Sequence, residues 1–295
     1  MTDIRTVGVV GGGLMGSGIA QVAAVAGYRT VLREVDDALA ARARAAVERS
    51  LAKAIEKGKL APDARDAALG RLAFTTAMES LAECDLIIEA VVEHLETKRA
   101  VWRALDALVP AATIFASNTS SLSIVEQATA TTRGDRFVGL HFFNPVPAMP
   151  LVEVVRTVTT SEATMAAAMA FVRAVGKTPI VARDSPGFVV NLLLVPYMLD
   201  AVRALEQGVA STADIDTGMQ LGAGHPMGPL ALCDFVGLDT LVRVAEIMWG
   251  AYREPRHAPP PLLVRMVAAG MLGRKNGRGF YDHTGPVPVP NDSLR

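Results

Sequence analysis

Between an apolar stretch at 6–10 and an amphipathic run, the chain reads Gly11-Gly12-Gly13-Leu14-Met15-Gly16-Ser17-Gly18-Ile19-Ala20, a G-x-G-x-x-G that joins a strand to a helix. Gly11 permits the tight turn, Gly13 lets the backbone approach a pyrophosphate, and Gly16 allows close packing of helix on strand. Leu14 and Met15 lie between the last two glycines and belong to the same loop. The N-terminus of the helix that follows offers free N–H groups to negative charge. That helix ends near Gly27, and a second strand at 30–33 delivers Glu34 about where a ribose-binding acid is expected. The pattern marks a dinucleotide site; the alternative is a glycine-rich turn in an α/β protein that binds something else. An acid on the ribose hydroxyls repels a 2′-phosphate, which favours NAD over NADP, with adjacent Arg33 arguing the other way. Glu34, followed by Asp36 and Asp37, could instead cap the next helix.

Strand and helix patterns alternate through the first 180 or so residues, with strands expected at 6–10, 30–33, 86–90, 113–116, 137–140, 151–155 and 180–182. This alternation belongs to a mainly parallel sheet covered by helices on both faces, an α/β domain of Rossmann type over residues 1–185. A charged helical insertion near 37–70 is larger than a minimal crossover needs, and its plain reading is a solvated helix pair. After Asp184-Ser185-Pro186-Gly187 the strand signals stop and apolar residues recur at helical spacing, so residues 186–285 read as an all-helical C-terminal domain. Residues 286–295, with Pro286, Pro288 and Pro290, read as a loose tail. A chain of 295 residues, 51% hydrophobic, can bury one full core and a smaller second one.

The 29 Lys and Arg against 30 Asp and Glu leave a net charge of -1, so no field of one sign marks the chain for nucleic acid or an anionic membrane. Cys84 and Cys233 have neither metal-ligand nor disulfide-framework spacing, which points to a metal-free fold in a reducing compartment. Met1 runs straight into the first strand with no room for a secretion signal, and a cytoplasmic location is expected. The most apolar later run, 188–199, is broken by Asn191 and Pro196 and is too short to span a bilayer.

The chemistry concentrates in Gly139-Leu140-His141-Phe142-Phe143-Asn144-Pro145-Val146-Pro147, which leads into Leu151-Val152-Glu153-Val154-Val155. Oxidising a secondary alcohol needs a base for the hydroxyl proton while hydride leaves for a nicotinamide, and histidine is well poised for that near neutral pH. His141 is expected just after a strand, where ligands approach an α/β sheet. A carboxylate must then fix its tautomer, and Glu153 follows on the next apolar strand across a Pro-rich turn. Taken alone, His141 could be a hydrogen-bonded core histidine, and Glu153 an edge-strand acid facing solvent.

Together with Ser117-Asn118-Thr119-Ser120-Ser121, the run Asp184 to Asn191, Gly222-Ala223-Gly224-His225-Pro226-Met227-Gly228-Pro229 and Gly273 to Tyr281, this block resembles the 3-hydroxyacyl-CoA dehydrogenase family over nearly the whole chain. The resemblance implies an NAD-dependent, reversible oxidation of an (S)-3-hydroxyacyl-CoA, with 3-hydroxybutyryl-CoA as the type of substrate. It implies a catalytic dyad of His141 and Glu153, with Ser120 and Asn191 bonding substrate and histidine. It puts Glu93 and Asn118 with Gly11, Gly13, Leu14, Met15, Gly16 and Glu34 on the cofactor, and Ser50 and Lys57 on coenzyme A. Without it, Ser120 reads as a helix cap, Asn191 as a capping or satisfied polar residue, Glu93 as a helix-start acid and Lys57 as a solvated lysine. The resemblance also implies a homodimer, in keeping with the many apolar positions of the helical domain.

The chain departs from many relatives in having Pro150 before Leu151-Val152-Glu153 and Leu192 after Asn191. These changes spare the dyad but leave acyl preference open: a carrier-protein thioester, a branched or dicarboxylic acyl-CoA and a sugar acid are alternatives. A sensor that binds NAD without turnover is the alternative of another class, and the intact dyad argues against it.

Overall fold

The computed structural model describes residues 4–291 and residue 294. The chain divides into two units, Met1–Phe188 and Val189–Arg295.

The first unit is built on β1 (Thr6–Val10), β2 (Arg29–Arg33), β3 (Leu72–Thr75), β4 (Leu86–Glu89), β5 (Ile114–Ser117), β6 (Phe137–Phe142), β7 (Leu151–Arg156) and β8 (Thr178–Arg183). They form one sheet in the order β3-β2-β1-β4-β5-β6-β7-β8. Every neighbouring pair is parallel except β6 and β7, which run antiparallel. The first six strands follow the doubly wound Rossmann order, whose direction of winding reverses between β1 and β4 and opens a crevice at their carboxyl ends.

Alternation along β1 sorts the two faces. Val7 and Val9 pack with Ile19, Ala20, Ala23 and Ala24 of α1 (Leu14–Val25), which presents small residues to the sheet. Val10 faces the other way, into a cluster with Ile87, Phe115, Phe137 and Trp102. Trp102 belongs to α4 (Leu95–Leu108); its ring stacks on Phe115 at 4.9 Å and meets Phe137 edge-on at 4.8 Å. The charged insertion forms α2 (Asp37–Glu56), started by Asp36 accepting from the Leu39 N–H, and α3 (Pro62–Arg71), started by its own proline. Two further helices, α5 (Ile124–Ala128) and α6 (Glu162–Ala174), complete this unit.

Two expectations about the sheet need correction. β3 went unread because α3 passes into it at Leu72 with no intervening loop, so a four-residue strand hides at the end of a helical pattern. His141 lies inside β6 rather than after it, because the apolar pattern of Phe137–Phe142 continues through the histidine and all six residues are buried.

The second unit packs α7 (Val190–Glu206), α8 (Thr212–Ala223), α9 (Pro229–Val236), α10 (Leu238–Tyr252) and α11 (Pro261–Ala268) around Leu199, Val202, Leu230, Leu241, Met248 and Leu263. Two buried carboxylates organise it. Asp216 accepts from Leu230 N, Ala231 N and the Tyr281 hydroxyl, and so caps α9 from another helix. Asp234 accepts from Phe280 N, Tyr281 N and His283 Nε2, each at 2.9 Å. A Cβ on Gly228 would lie 2.2 Å from Asp216, and one on Gly279 would lie 2.0 Å from Asp234. Gly228 and Gly279 therefore serve packing around these two acids.

The expected loose tail is also corrected. Val289–Pro290 (β10) pairs antiparallel with Tyr281–Asp282 (β9), and Asn291 N–H donates to Phe280 O at 2.9 Å, so backbone hydrogen bonds hold this part of the tail. Residues 292, 293 and 295 of the tail lie outside the described residues. No helix among the described residues is long and apolar enough to cross a membrane.

Candidate active site

The antiparallel pairing of β6 and β7 sets His141 directly opposite Glu153. Side chains of facing residues in such a pair share one side of the sheet, and the imidazole Nδ1 meets Glu153 Oε2 at 2.6 Å. Glu153 is fully buried and His141 is 6% exposed, so water competes little for this hydrogen bond. A carboxylate only accepts, so Nδ1 carries the proton and Nε2 is left with a lone pair. An imidazole held in this way can take and return a proton at Nε2. The rings of Phe143 and Phe188 flank it, with centroids 4.5 and 5.6 Å away. Asn118 Oδ1 accepts the Phe142 N–H at 2.9 Å and ties the loop after β5 to the strand that carries the histidine.

The glycine loop follows β1 at the reversal point of the sheet. Gly11 has φ +95°, and a Cβ there would lie 2.7 Å from the Ala90 carbonyl oxygen. A Cβ on Gly16 would fall 1.8 Å from Gly11 O, so the helix can start this close to the turn only without a side chain. Gly13 is different: no protein atom lies within 4 Å of its Cβ position, and the backbone is open on that side. It is the N-cap of α1, which has no side-chain cap and no acid in its first turn, leaving N–H groups available to an anion. Leu14 is exposed and Met15 half-buried beside it. Glu34 stands at the end of β2; its Oε1 accepts Gly12 N–H at 2.5 Å and its Oε2 accepts Val35 N–H at 3.0 Å. Arg33 Nε donates to the Thr76 carbonyl at 3.2 Å, away from this acid. These residues fit a dinucleotide: an open backbone approach, uncapped N–H groups and an acid at the second strand.

Glu93, after β4, bonds the loop that carries Ser120. It accepts from the Thr119 hydroxyl, from Ser120 N at 3.2 Å and from the Ser121 hydroxyl at 3.3 Å. Ser120 does not cap α5; Ser123 does. Behind Glu93 lies Lys98, with no exposed surface, its Nζ 3.1 Å from Glu93 and 2.6 Å from fully buried Glu89. Glu89 also accepts from the Ser117 hydroxyl and Val91 N, both at 2.7 Å. Burial opposes ionisation of Glu93, but the Lys98 charge and the hydrogen bonds from Thr119, Lys98 and Ser120 outweigh it and hold the carboxyl below its ordinary range. From the other side, Asp184 accepts Ile124 N at 2.9 Å and Val125 N at 2.7 Å, anchoring the start of α5.

Two cavities border this region. One of about 510 Å³ lies among the glycine loop, Glu34, α2 and the 144–147 loop, whose Asn144–Pro145 peptide is cis. The other, about 720 Å³, is lined by Ser50, Lys53, Lys57, Lys59, Pro147 and Lys177, among others. Ser50 lines both, and the lysines give the second a cationic wall suited to phosphates. Burial lowers the pKa of Lys177, whose Nζ donates to Val146 O at 2.7 Å. Neither Ser50 nor Lys57 touches the dyad, and Asn191 stands at the start of α7 in the second unit.

Sequence reasoning missed Lys98, Glu89 and Thr119 and assigned no role to Asp184. A signal existed for the first: Lys98 shares the buried face of α4 with Trp102 and Leu105, where a lysine is out of place unless paired.

A doubly wound sheet with a glycine loop at its reversal point, beside a buried histidine–carboxylate pair, defines a dinucleotide-dependent oxidoreductase. Residues 6–185 match the NAD binding domain of 3-hydroxyacyl-CoA dehydrogenase, and residues 187–283 match the C-terminal domain of that enzyme. The chain is 50% identical over 287 residues to a 3-hydroxybutyryl-CoA dehydrogenase of Mycobacterium tuberculosis, covering 96% of this chain and 100% of that one. It is 46% identical over 288 residues to the human mitochondrial hydroxyacyl-coenzyme A dehydrogenase, covering 95% and 91%. The crystal structure of (S)-3-hydroxybutyryl-CoA dehydrogenase from Ralstonia eutropha superposes with a TM-score of 0.93 at 46% identity, covering 96% of this chain and 100% of that one. The chain belongs to the 3-hydroxyacyl-CoA dehydrogenase family, and NAD is its cofactor.

Proposed function

We propose that this chain catalyses the reversible oxidation of short (S)-3-hydroxyacyl-CoA thioesters, with (S)-3-hydroxybutyryl-CoA as the type substrate, to their 3-oxo forms. The observation that carries the reading is the buried 2.6 Å hydrogen bond between His141 Nδ1 and Glu153 Oε2. NAD, when bound, accepts the hydride from carbon 3. His141 takes the hydroxyl proton at Nε2 during oxidation and returns it during reduction. Glu153 fixes the ring tautomer and offsets the positive charge the ring gains. Ser120, on the loop bonded by Glu93, hydrogen-bonds the substrate oxygen, and Asn191 at the start of α7 is a second polar residue assigned to the substrate.

Gly11, Gly13, Leu14, Met15 and Gly16 form the pyrophosphate loop, Glu34 takes the adenosine ribose, and Glu93 and Asn118 border the nicotinamide end. Ser50 and Lys57 receive the coenzyme A phosphates at the cationic cavity. Residues 1–185 act as the NAD-binding domain, 186–285 as the substrate and dimerisation domain. The preference for a short acyl chain is supported by two relatives, 50% and 44% identical, that are 3-hydroxybutyryl-CoA dehydrogenases.

A homodimer is supported by exposed Leu193, Leu221 and Phe235 on the second unit, exposures of 65, 83 and 54%. A cytoplasmic location is supported by two buried, unpaired thiols; recovery of the native protein from the envelope fraction of cells would contradict it.

The test is a kinetic panel over acyl length with NADH and NADPH, run on the native protein, His141→Gln and Glu153→Gln. Acetoacetyl-CoA with NADH is expected to be the best pair. His141→Gln is expected to lose about 10²-fold or more in kcat, the scale of general acid–base catalysis, with NADH binding near native. Glu153→Gln also loses turnover, since an amide keeps a hydrogen bond but supplies no charge. Near-native kcat in folded His141→Gln, or no turnover of acetoacetyl-CoA by the native protein, would falsify the reading.

A further inference from the structure

Phe188 has φ +49°, the left-handed region that a bulky side chain rarely adopts. Among the described residues only Arg253 shares this trait without being glycine, and Arg253 is exposed and ends α10 as its left-handed C-cap. No such ending explains Phe188. The turn before it is complete by itself: Pro186 and Gly187, the latter at φ +85°, occupy the centre of a type II turn closed by Phe188 N–H donating to Ser185 O at 2.9 Å. A glycine at 188 would follow the same path without strain. The strained residue is instead an aromatic, 3% exposed, packed in the cluster that includes Ile124, Val155 and Ala182. Its ring centroid stands 5.6 Å from that of His141. Strain of this kind persists where surroundings over-determine it, and it gathers at functional sites.

We propose that Phe188 is a positioning residue for His141: its ring, with that of Phe143, holds the imidazole in the rotation at which Nε2 meets the substrate hydroxyl. Glu153 bonds a single ring atom, Nδ1, and one hydrogen bond leaves the ring free to swing about it. Phe143, 4.5 Å away, and Phe188 add ring contacts that limit this swing. The inference rests on His141 being the proton-transfer residue.

The experiment uses the full chain as Phe188→Gly, which relieves the backbone, and Phe188→Leu, which keeps apolar volume without the ring. Each is also combined with His141→Gln. Folding is checked by circular dichroism, and kcat and KM are measured with acetoacetyl-CoA and NADH. Both single variants are expected to lose roughly 10-fold or more in kcat, since small misplacements of a catalytic group are costly, with KM and NADH affinity within about 3-fold of native. In the His141→Gln background neither is expected to cost anything further, because a residue acting through the histidine has nothing left to position. The His141 ring signals in 15N spectra, assigned by their loss in His141→Gln, are expected to shift or broaden in both single variants. Should Phe188→Gly fail to fold, Phe188→Leu carries the same comparison. Native kcat in either folded variant, or a loss that persists undiminished without His141, overturns the inference. A fully active His141→Gln would sink the base assignment and this inference together; an inactive His141→Gln beside fully active Phe188 variants sinks this inference alone.

Discussion

Lys98 is the residue whose removal should be felt most widely. A fully buried cation between Glu89 and Glu93 is tolerable because both carboxylates lie within 3.1 Å. Its charge and size are therefore fixed by its partners. Lys98→Met leaves those acids without a cation in a desolvated place, an expected loss of about 3–5 kcal/mol near neutral pH. The pH dependence has a definite sign. Glu93 has a folded-state pKa below its ordinary 4.5, so between these values the unfolded chain binds more protons than the folded one. Its contribution is present above about 4.5 and is lost as pH falls through the folded value. The gap between native and Lys98→Met in urea melts is expected to shrink as the pH is taken down from about 4.5 through the lower folded value. A gap that stays constant over that range would rule out the charge argument.

At the scale of elements, the glycine loop makes two separable demands. Gly16 is dictated by the protein itself, because its missing Cβ would sit 1.8 Å from a backbone oxygen that cannot swing aside as a side chain could. Gly13 meets no protein atom within 4 Å, so whatever requires glycine there comes from outside the chain. Gly16→Ala is expected to cost about 1–3 kcal/mol of stability, the usual range for forcing atoms into a packed site, and to lose NADH binding as the loop shifts. Gly13→Ala should leave stability within about 0.5 kcal/mol of native, as for changes away from packed features, while weakening NADH. Urea melts with fluorescence titration of NADH read both. Equal stability losses in the two variants would contradict the distinction. The β6–β7 hairpin is the other decisive element: antiparallel pairing puts residues twelve positions apart in sequence into one hydrogen bond.

For the whole molecule the open quantity is assembly. Leu193, Leu221 and Phe235 are large apolar side chains left exposed on a small helical unit that already buries its own core. A second copy covering them would remove about 25 cal/mol of unfavourable hydration for every Å² of apolar surface buried. Light scattering at micromolar concentration is expected to give the mass of two chains, and Leu221→Glu to shift it toward one. A monomeric native protein would sink the dimer.

The sequence by itself determined the parts that depend on local chemistry. A strand, three spaced glycines and a helix dictate a turn that only residues without a Cβ can make, so the dinucleotide loop was legible from Gly11, Gly13 and Gly16. Alternating apolar runs dictate the layered α/β domain and the helical half in the same way. What tertiary structure decided are the meetings of residues distant in the chain. The short connection between β6 and β7 already requires an antiparallel return, but only the register of the pair sets Glu153 directly opposite His141. Lys98 reads as an ordinary helix lysine until β4 brings Glu89 beneath it. Asp184 reads as a turn residue until α5 is found resting its N–H groups on it. For Lys98 and Asp184 the pairing costs desolvation that only partners supplied by the fold can offset, and no local pattern encodes which partners those are.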